Sequence, residues 1–249
     1  MRSLKNKVAL VTGSARGIGK AIAIRYGLLG ASVVVNYSTD EKHAQEVVEE
    51  IKRTGSVAIA VQADVSKVAD IDRLFVASLD KFGSLDIVVA NAGVELVGQS
   101  VSDFTEADFD RLFGINTKGA FFTLQKAAKH VADNGRIIYI GSSSTAFPTP
   151  GHALYGGSKV APQFLVEVLA KEIGHRGVTV NSILPTATES AGVHGDGVSA
   201  EARNFINSFN PMQRMGTPND VANAAEYLAG ELAAFVSGQH LLVTGGAPA

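Results

Sequence analysis

The feature that most constrains the fold of this 249-residue chain is a regular alternation of short apolar runs with longer amphipathic stretches. The short runs are continuous and rich in Val and Ile, which is typical of parallel strands covered on both faces. They are Val8–Val11, Ser32–Asn36, Ala58–Gln62, Ile87–Ala90, Ile137–Ile140, Thr179–Ile183 and His240–Val243. The stretches between them predict helices at Ile18–Leu29, Glu41–Arg53, Ile71–Phe82, Glu106–Ala132, Ser158–Ile173 and Asp220–Ala229.

This alternation predicts an α/β fold, a doubly wound parallel sheet of about seven strands with helices on both faces. A chain of 249 residues is long enough for one such domain and marginal for two. No internal repeat, linker or low-complexity tract divides the sequence. We therefore expect a single domain over residues 1–249.

Composition excludes several classes of function. The formal net charge is −2 and no Lys/Arg run stands out, so we expect neither nucleic acid nor an anionic membrane as a partner. The chain has no cysteine, which excludes disulfides, thiolate metal sites and cysteine nucleophiles. The first seven residues lack a long apolar run, so they do not resemble a signal peptide. We expect a cytoplasmic protein without a metal site.

A glycine-rich turn follows the first predicted strand and opens the first predicted helix. Gly13, Gly17 and Gly19 have the spacing G-x₃-G-x-G, which differs from the commonest dinucleotide motif, G-x-G-x-x-G. Glycine lets the backbone turn sharply, and the helix N-terminus offers N–H groups and a positive dipole to a pyrophosphate. The turn therefore predicts a dinucleotide site, with a purely structural glycine turn as the alternative.

The end of the second predicted strand bears on the choice of cofactor. NAD enzymes of this architecture carry an acidic residue there, which binds the ribose 2′-hydroxyl. This chain has Asn36-Tyr37-Ser38 instead, and the absence of a carboxylate removes a repulsion from a 2′-phosphate. Arg16 could add a charge-assisted contact, or could be a solvated surface arginine. We therefore favour NADP(H) over NAD(H).

Two further motifs follow predicted strands, at the sheet edge where open α/β sheets bind ligands. Asp64-Val65 follows the third strand, and Asn91-Ala92-Gly93 follows the fourth. Asp64 could accept a hydrogen bond from the adenine amine or cap the next helix. The second motif could contact cofactor or form a plain turn.

The residues that best suit chemistry are Tyr155 and Lys159, which share a helix face because they are four apart. An ammonium near a phenol favours the phenolate and lowers its pKa from about 10, which suits proton exchange in carbonyl–alcohol interconversion. The pattern is common by chance, so context decides. Ser142 follows the fifth strand and could donate to a substrate oxygen, as could its neighbours Ser143 and Ser144. Asn116 is a poor helix former inside a predicted helix and indicates a side-chain role or a local bulge.

Taken in order, these motifs resemble the short-chain dehydrogenase/reductase family over essentially the whole chain. The matching elements are Thr12-Gly13-x₃-Gly17-Ile18-Gly19, Asp64-Val65, Asn91-Ala92-Gly93, Asn116, Ser142, Tyr155-x₃-Lys159 and Asn181-Ser182-x₂-Pro185. Within the family, the sequence is similar to the beta-ketoacyl-carrier-protein reductase and polyhydroxynaphthalene reductase branches. The family serine lies thirteen residues before the tyrosine, which selects Ser142 over its neighbours. The resemblance implies a Rossmann-type fold and an NAD(P)-dependent oxidoreductase acting on a ketone or aldehyde and its alcohol.

The resemblance also implies roles. Tyr155 would exchange the proton, Lys159 would depress its pKa and hold the nicotinamide ribose, Ser142 would orient the substrate oxygen, and Asn116 would position Lys159 through water. The cofactor contacts implied are Gly13, Ser14, Arg16, Gly17, Ile18, Gly19, Asn36, Tyr37, Ser38, Asp64, Val65, Asn91, Ala92, Gly93, Tyr155, Lys159, Pro185, Thr186, Thr188 and Ser190.

The chain departs from the family pattern at three positions. Thr186 replaces the glycine that usually follows Pro185, which would narrow the nicotinamide end, and Ser190 replaces a threonine. Pro162 falls inside a predicted helix, where it predicts a bend or a local irregularity near Tyr155 and Lys159. It could also alter packing between subunits.

The stretch Pro185–Pro218 lacks clear periodicity, and a loop of this length is usually functional. We expect this loop, with Phe147, His152 and Val193, to line the substrate pocket and to favour an apolar or aromatic carbonyl. The family commonly forms tetramers, so we expect a homotetramer. Two alternatives are a catalytically retired NADP-binding sensor or scaffold, and another reaction on the same fold, such as enoyl reduction or sugar epimerisation. Enoyl reductases of this type usually space the tyrosine and lysine farther apart.

Overall fold

The computed structural model describes residues 4–192 and 198–247. All seven strands form one parallel sheet in the order β3-β2-β1-β4-β5-β6-β7. The strands are β1 Val8–Val11, β2 Ser32–Tyr37, β3 Ala58–Gln62, β4 Ile87–Ala90, β5 Arg136–Ile140, β6 Thr179–Pro185 and β7 His240–Val243. The predicted doubly wound sheet is confirmed, and the predicted strand ends are wrong by one or two residues in β2, β5 and β6.

Helices cover both faces of the sheet. They are α1 Gly17–Leu28, α2 Glu41–Arg53, α3 Val68–Phe82, α4 Glu106–Leu112, α5 Ala120–His130, α6 Ala153–Ile173, α7 Ala200–Phe209 and α8 Pro218–Ala229. Alternate residues of β1 face opposite sides: Ala9 and Val11 pack in the core under α1, α2 and α8, whereas Val8 and Leu10 pack under α3, α5 and α6. Both cores are therefore built on the same strands, as the continuous apolar runs predict.

The predicted helix Glu106–Ala132 is interrupted. A π-helical turn, Phe113–Gly119, separates α4 from α5 and contains the buried side chain of Asn116. Such turns are rare and occur frequently at functional sites. The expected bulge at Asn116 is therefore confirmed. The helix α4 begins at a reciprocal cap between Thr105 and Asp108.

Two predictions about helices need correction. α6 begins at Ala153, five residues before the predicted start, and runs unbroken past Pro162. The stretch predicted as an aperiodic loop contains α7, Ala200–Phe209, whose cap is Ser199. The centroids of the Phe205 and Phe209 rings lie 4.8 Å apart on one side of this helix. These two residues are four apart in the sequence, a helical spacing that the prediction of an aperiodic loop did not take into account.

No helix in the described ranges is both long and apolar enough to cross a membrane. In the same ranges, no three His, Asp or Glu side chains come close enough together to hold a metal ion.

Candidate active site

The glycine turn lies at the carboxyl end of β1, next to β4, where the strand order reverses. Gly13 and Gly17 have φ of +61° and +56°, a backbone conformation that residues with a side chain rarely adopt. Gly19 lies inside α1, and a Cβ there would be 2.5 Å from Nδ2 of Asn91. Among the described side chains none caps α1, so the N–H groups of its first turn are available to a ligand.

Hydrogen bonds from β4 hold this turn. Thr12 Oγ1 accepts from the backbone N–H groups of Asn91 and Ala92, at 2.9 and 3.0 Å. Asn91 Nδ2 donates to the carbonyls of Thr12 and Gly13, at 2.8 and 3.1 Å. Asn91 therefore acts as a brace for the turn, and its amide nitrogen is engaged by the protein. The bonds show a turn that braces the glycine turn, and the predicted cofactor contact of this motif stays a prediction.

The side chain of Asn36, near the end of β2, is used by the protein itself. Its side chain is 1% exposed, accepts from Gly13 N–H at 3.0 Å, and donates to the carbonyls of Val61 and Ala63 at 3.2 and 3.1 Å. The strand β2 continues to Tyr37, so the first side chain beyond it belongs to Ser38. The Asn36 side chain, predicted among the cofactor contacts, is therefore engaged by the protein itself and joins β2, β3 and the glycine turn.

A polar recess of about 330 Å³ opens beside the end of β2. Its lining includes Ser38, Thr39 and Gln62, together with Asp64 and Lys67. Asp64 Oδ1 accepts from Ser66 N–H and Oγ–H at 3.0 and 2.7 Å. Burial favours the neutral acid, but these hydrogen bonds and Lys67 keep the pKa of Asp64 below its ordinary value. Asp64 is thus an ionised group that organises a turn at the rim of the recess.

The remaining predicted residues of the cofactor half fall into two groups. Arg16 is exposed at the start of α1, and both its predicted charge-assisted contact and the alternative of a solvated arginine stay open. The others support the turn from beneath: Ser14 is fully buried and donates to the Val11 carbonyl at 2.8 Å, Tyr37 and Val65 are buried, and Ile18 packs on the core.

The structure brings Ser142, Tyr155 and Lys159 together at the carboxyl end of β5. Ser142 follows β5, and its Oγ accepts from Ser144 Oγ at 2.9 Å and from Ser144 N–H at 3.3 Å. Tyr155 lies in the first turn of α6, and Ser142 acts to lower its pKa. In both contacts with Ser144, Ser142 is the acceptor, so its own hydroxyl hydrogen is not used in them.

Lys159 is 4% exposed, one turn after Tyr155. Its Nζ donates to the Ile140 carbonyl at 3.2 Å and lies 5.9 Å from the centre of the Tyr155 ring. A Cβ at Gly93 would lie 2.9 Å from this ammonium, so the strand-end motif leaves room for the lysine. Asn116 does not bond Lys159 directly; its Oδ1 accepts from Val94 N–H at 2.8 Å.

The electrostatics of the pair differ from the sequence-based expectation. Burial and then the charge of Glu95 raise the pKa of Tyr155 above its ordinary value, while the Ser142 hydrogen bond opposes them. Burial lowers the pKa of Lys159 to about 8, and Glu95 opposes that shift. For the protein's own residues, burial and Glu95 outweigh the Ser142 effect and raise the pKa of Tyr155, and the lowering by Lys159 stays a prediction.

Sequence reasoning missed Glu95. It lies two residues after the Asn91-Ala92-Gly93 motif, and its charge acts on both Tyr155 and Lys159. A Cβ at Gly192 would lie 2.0 Å from Glu95 Oε2, so the substrate loop passes directly over this carboxylate. Only its position just after a strand-end motif could have suggested a role.

The substrate loop begins at the end of β6. Thr186 N–H donates to the Val243 carbonyl at 3.4 Å, and Thr188 Oγ1 donates to the Thr186 carbonyl at 2.8 Å. Ser190 has a φ of +53°, and a Cβ at Gly17 would lie 3.0 Å from its carbonyl oxygen. The loop therefore leaves Pro185 and passes over the glycine turn.

Of the other predicted pocket residues, Phe147 and His152 are partly buried between β5 and α6, whereas Val193 lies outside the described residues. An apolar groove of about 450 Å³ lies beside α4 and the start of α6. Its lining includes Phe104, Phe109 and Leu154 and does not include Phe147 or His152.

Comparison with known proteins agrees with this geometry. A family model described as enoyl-(acyl carrier protein) reductase matches residues 13–248. A hydroxynaphthalene reductase-like protein, Arp2, from Metarhizium brunneum is 43% identical over 262 residues, covering 98% of this chain and 96% of the relative.

Solved structures agree as well. A short-chain dehydrogenase from Burkholderia cenocepacia in complex with NADP has 36% identity and a TM-score of 0.89, covering 99% of this chain and 100% of that one. The angucycline C-6 ketoreductase LanV with bound NADP has 34% identity and a TM-score of 0.92, covering 99% and 97%.

These likenesses extend over nearly the whole chain and include the fold. The expected position near the polyhydroxynaphthalene reductase branch is confirmed by the relative from Metarhizium. The chain belongs to the short-chain dehydrogenase/reductase family, and is an oxidoreductase acting on carbonyl–alcohol pairs.

Proposed function

We propose that this protein is an NADP(H)-dependent carbonyl reductase in which Tyr155 delivers the proton to the reduced oxygen. The observation that carries the proposal is the cluster of Ser142, Tyr155 and Lys159, in which Ser142 accepts from Ser144 and keeps its own hydroxyl hydrogen for another acceptor. A carbonyl oxygen placed between the Ser142 and Tyr155 hydroxyls would accept from both. Two such donors stabilise the negative charge that develops there.

The residues fit a nicotinamide dinucleotide. The uncapped start of α1 would bind the pyrophosphate, and the recess beside Ser38 and Thr39 would hold the adenosine end. Lys159 would hold the nicotinamide ribose. The cofactor supplies the hydride when bound.

The raised pKa of Tyr155 suits a proton donor in the reductive direction, since the phenol stays protonated at neutral pH. The lowered pKa of Lys159, about 8, leaves its ammonium mostly charged at pH 7. Asn116 acts at a distance, by fixing the Val94 backbone and α6.

Preference for NADP(H) is supported by the end of β2, because Tyr37, Ser38 and Thr39 carry no carboxylate there. The recess beside them is lined by Asp64 and Asp70 together with Lys67 and Arg73. Two structural relatives are described with bound NADP. The substrate class is an apolar or aromatic ketone, in keeping with relatives described as a hydroxynaphthalene reductase-like protein and as an angucycline ketoreductase.

Initial rates with a panel of ketones, measured with NADPH and NADH in parallel, test cofactor and substrate together. We expect a higher kcat/KM with NADPH and activity on bicyclic aromatic ketones. An α,β-unsaturated ketone in the panel tests the enoyl reduction named in the family model. Carbonyl reduction gives the unsaturated (allylic) alcohol, whereas enoyl reduction gives the saturated ketone, and product analysis distinguishes the two. Nucleotide binding without turnover of any carbonyl would favour the sensor or scaffold alternative.

We also propose a homotetramer. Exposed apolar side chains lie on α6 at Val160 and Phe164, and on the edge strand β7 at Leu241 and Leu242. Exposed apolar surface on an edge strand is a usual site of association. Light scattering at micromolar concentration should give the mass of four chains, and a monomeric mass would contradict the proposal.

A further inference from the structure

A proline lies in the helix that carries the catalytic pair. Pro162 is buried within α6, four residues after Ser158. Proline has no backbone N–H, so the Ser158 carbonyl cannot receive the hydrogen bond that an α-helix normally supplies to it. The helix nevertheless continues unbroken to Ile173.

A side chain from another element supplies the missing donor. Thr117 Oγ1 donates to the Ser158 carbonyl at 2.8 Å. Ser158 has no exposed surface, so water cannot take over this role. A buried carbonyl without a partner is costly, and this contact therefore removes the main penalty of Pro162.

The same turn also holds the Ser158 side chain. Asn116 Nδ2 donates to Ser158 Oγ at 2.9 Å, and Ser158 Oγ donates to the Tyr155 carbonyl at 2.7 Å. Asn116 and Thr117 are consecutive in the π-helical turn, so two neighbouring residues hold both polar groups of Ser158. Lys159 is the next residue along the helix, and Tyr155 lies one turn before it.

We propose that Thr117 is a positioning residue: its hydroxyl replaces the N–H that Pro162 lacks, and so fixes Ser158 between Tyr155 and Lys159. The inference rests on the proposed function, since the pair that it positions is the proposed proton-transfer pair. Pro162 has a matching role, because it leaves a carbonyl of α6 available to a donor outside the helix. The two residues form one coupled contact between α6 and the π-helical turn.

A double-mutant cycle tests the coupling, with Thr117→Val, Pro162→Ala and both together, and Thr117→Ser as the matched control. Valine keeps the shape of threonine but cannot donate, so the Ser158 carbonyl is left without a partner and the free energy of unfolding falls. We expect kcat to fall about tenfold, because Ser158 then shifts between Tyr155 and Lys159. Alanine at 162 restores a helical N–H, so the double variant should recover kcat. Thr117→Ser keeps the hydroxyl and should stay near wild type. The pH profile of kcat should shift in Thr117→Val alone.

The free energy of unfolding, measured on the same four proteins by denaturant titration, should show the same rescue. A wild-type kcat and pH profile in Thr117→Val, or a double variant no better than Thr117→Val, would overturn the proposal. If Thr117→Val does not fold, the double variant tests the proposal instead. The proposal requires this variant to fold and to have the kcat of the wild type, and a double variant that fails in either respect overturns it. If the wild type reduces no carbonyl, the proposed function fails, while the unfolding cycle still decides the role of Thr117.

Discussion

The glycine turn and the substrate loop lie on the same edge of the sheet and are built in opposite ways. The turn is held by Thr12, Asn36 and Asn91, whose side-chain hydrogen bonds join it to β2, β3 and β4. The loop contains α7, which has no buried residue. Phe205 and Phe209 on this helix are 66% and 61% exposed to solvent. Its attachments include an ion pair between Arg203 and Glu189 and a bridge between Thr188 and Gly216.

This difference separates two tasks of the enzyme. A cofactor is the same in every turnover, and a turn fixed by buried hydrogen bonds meets it without rearrangement. A helix with little buried surface has a low cost of local opening and can adjust to a substrate. Cofactor affinity and substrate selectivity should therefore respond to different substitutions.

Tyr155→Phe is expected to have the largest effect. Loss of the proton donor should lower kcat by about 10²- to 10⁴-fold, the usual contribution of general acid catalysis. Cofactor affinity should stay unchanged, since the glycine turn is intact. Steady-state kinetics and cofactor titration measure the two quantities, and the exposed Tyr227→Phe is the control. Undiminished turnover would contradict the proposed mechanism.

Gly19→Ala should weaken cofactor binding and leave substrate selectivity unchanged. Its Cβ would lie 2.5 Å from both Asn91 Nδ2 and the Gly13 carbonyl, so the turn must shift. Overpacking of this kind costs ~1–3 kcal/mol, which corresponds to a cofactor Kd raised roughly tenfold to a hundredfold. Calorimetric titration measures the Kd. The control is Gly174→Ala, at a position with no atom within 4 Å, and an unchanged Kd in Gly19→Ala would show that the turn is not fixed.

Glu95→Gln tests the place where the substrate loop passes over the carboxylate that acts on the catalytic pair. The Glu95 charge raises the pKa of both Tyr155 and Lys159, so its removal should lower both. In the wild type we expect kcat/KM to fall as the pH rises through about 8, where Lys159 loses its proton. In the variant this limb should move to lower pH by roughly half a unit. A pH–rate profile checks the direction, and a shift to higher pH would refute it.

Phe205→Ala should have the smallest effect on the fold. The ring is exposed, so the free energy of unfolding should change by no more than about 0.5 kcal/mol. The KM for bulky ketones should change severalfold, whereas the cofactor Kd should not. The exposed Val57→Ala, far along the chain from the loop, serves as the control. A changed cofactor Kd in Phe205→Ala would show that the two regions are coupled.

The sequence predicted the sheet well because the buried strands are continuous apolar runs, a signal that burial on two faces imposes directly. It predicted the cluster of Ser142, Tyr155 and Lys159 from spacing and order. It missed α7 although Phe205 and Phe209 lie on one side of this helix, because the whole stretch Pro185–Pro218 was interpreted as an aperiodic loop. Nor could it predict the raised pKa of Tyr155 or the charge of Glu95 beside it, since both depend on packing between distant segments.

The burial of Asn36 limits how coenzyme preference can be changed by design. An acidic residue engineered at this position would place a charge in a site that is 1% exposed and would delete the donors that join β2 to β3. Such a variant should lose its fold before it gains a new preference. Redesign has to begin at Ser38 and Thr39, whose side chains line the recess and can be exchanged without disturbing the scaffold beneath.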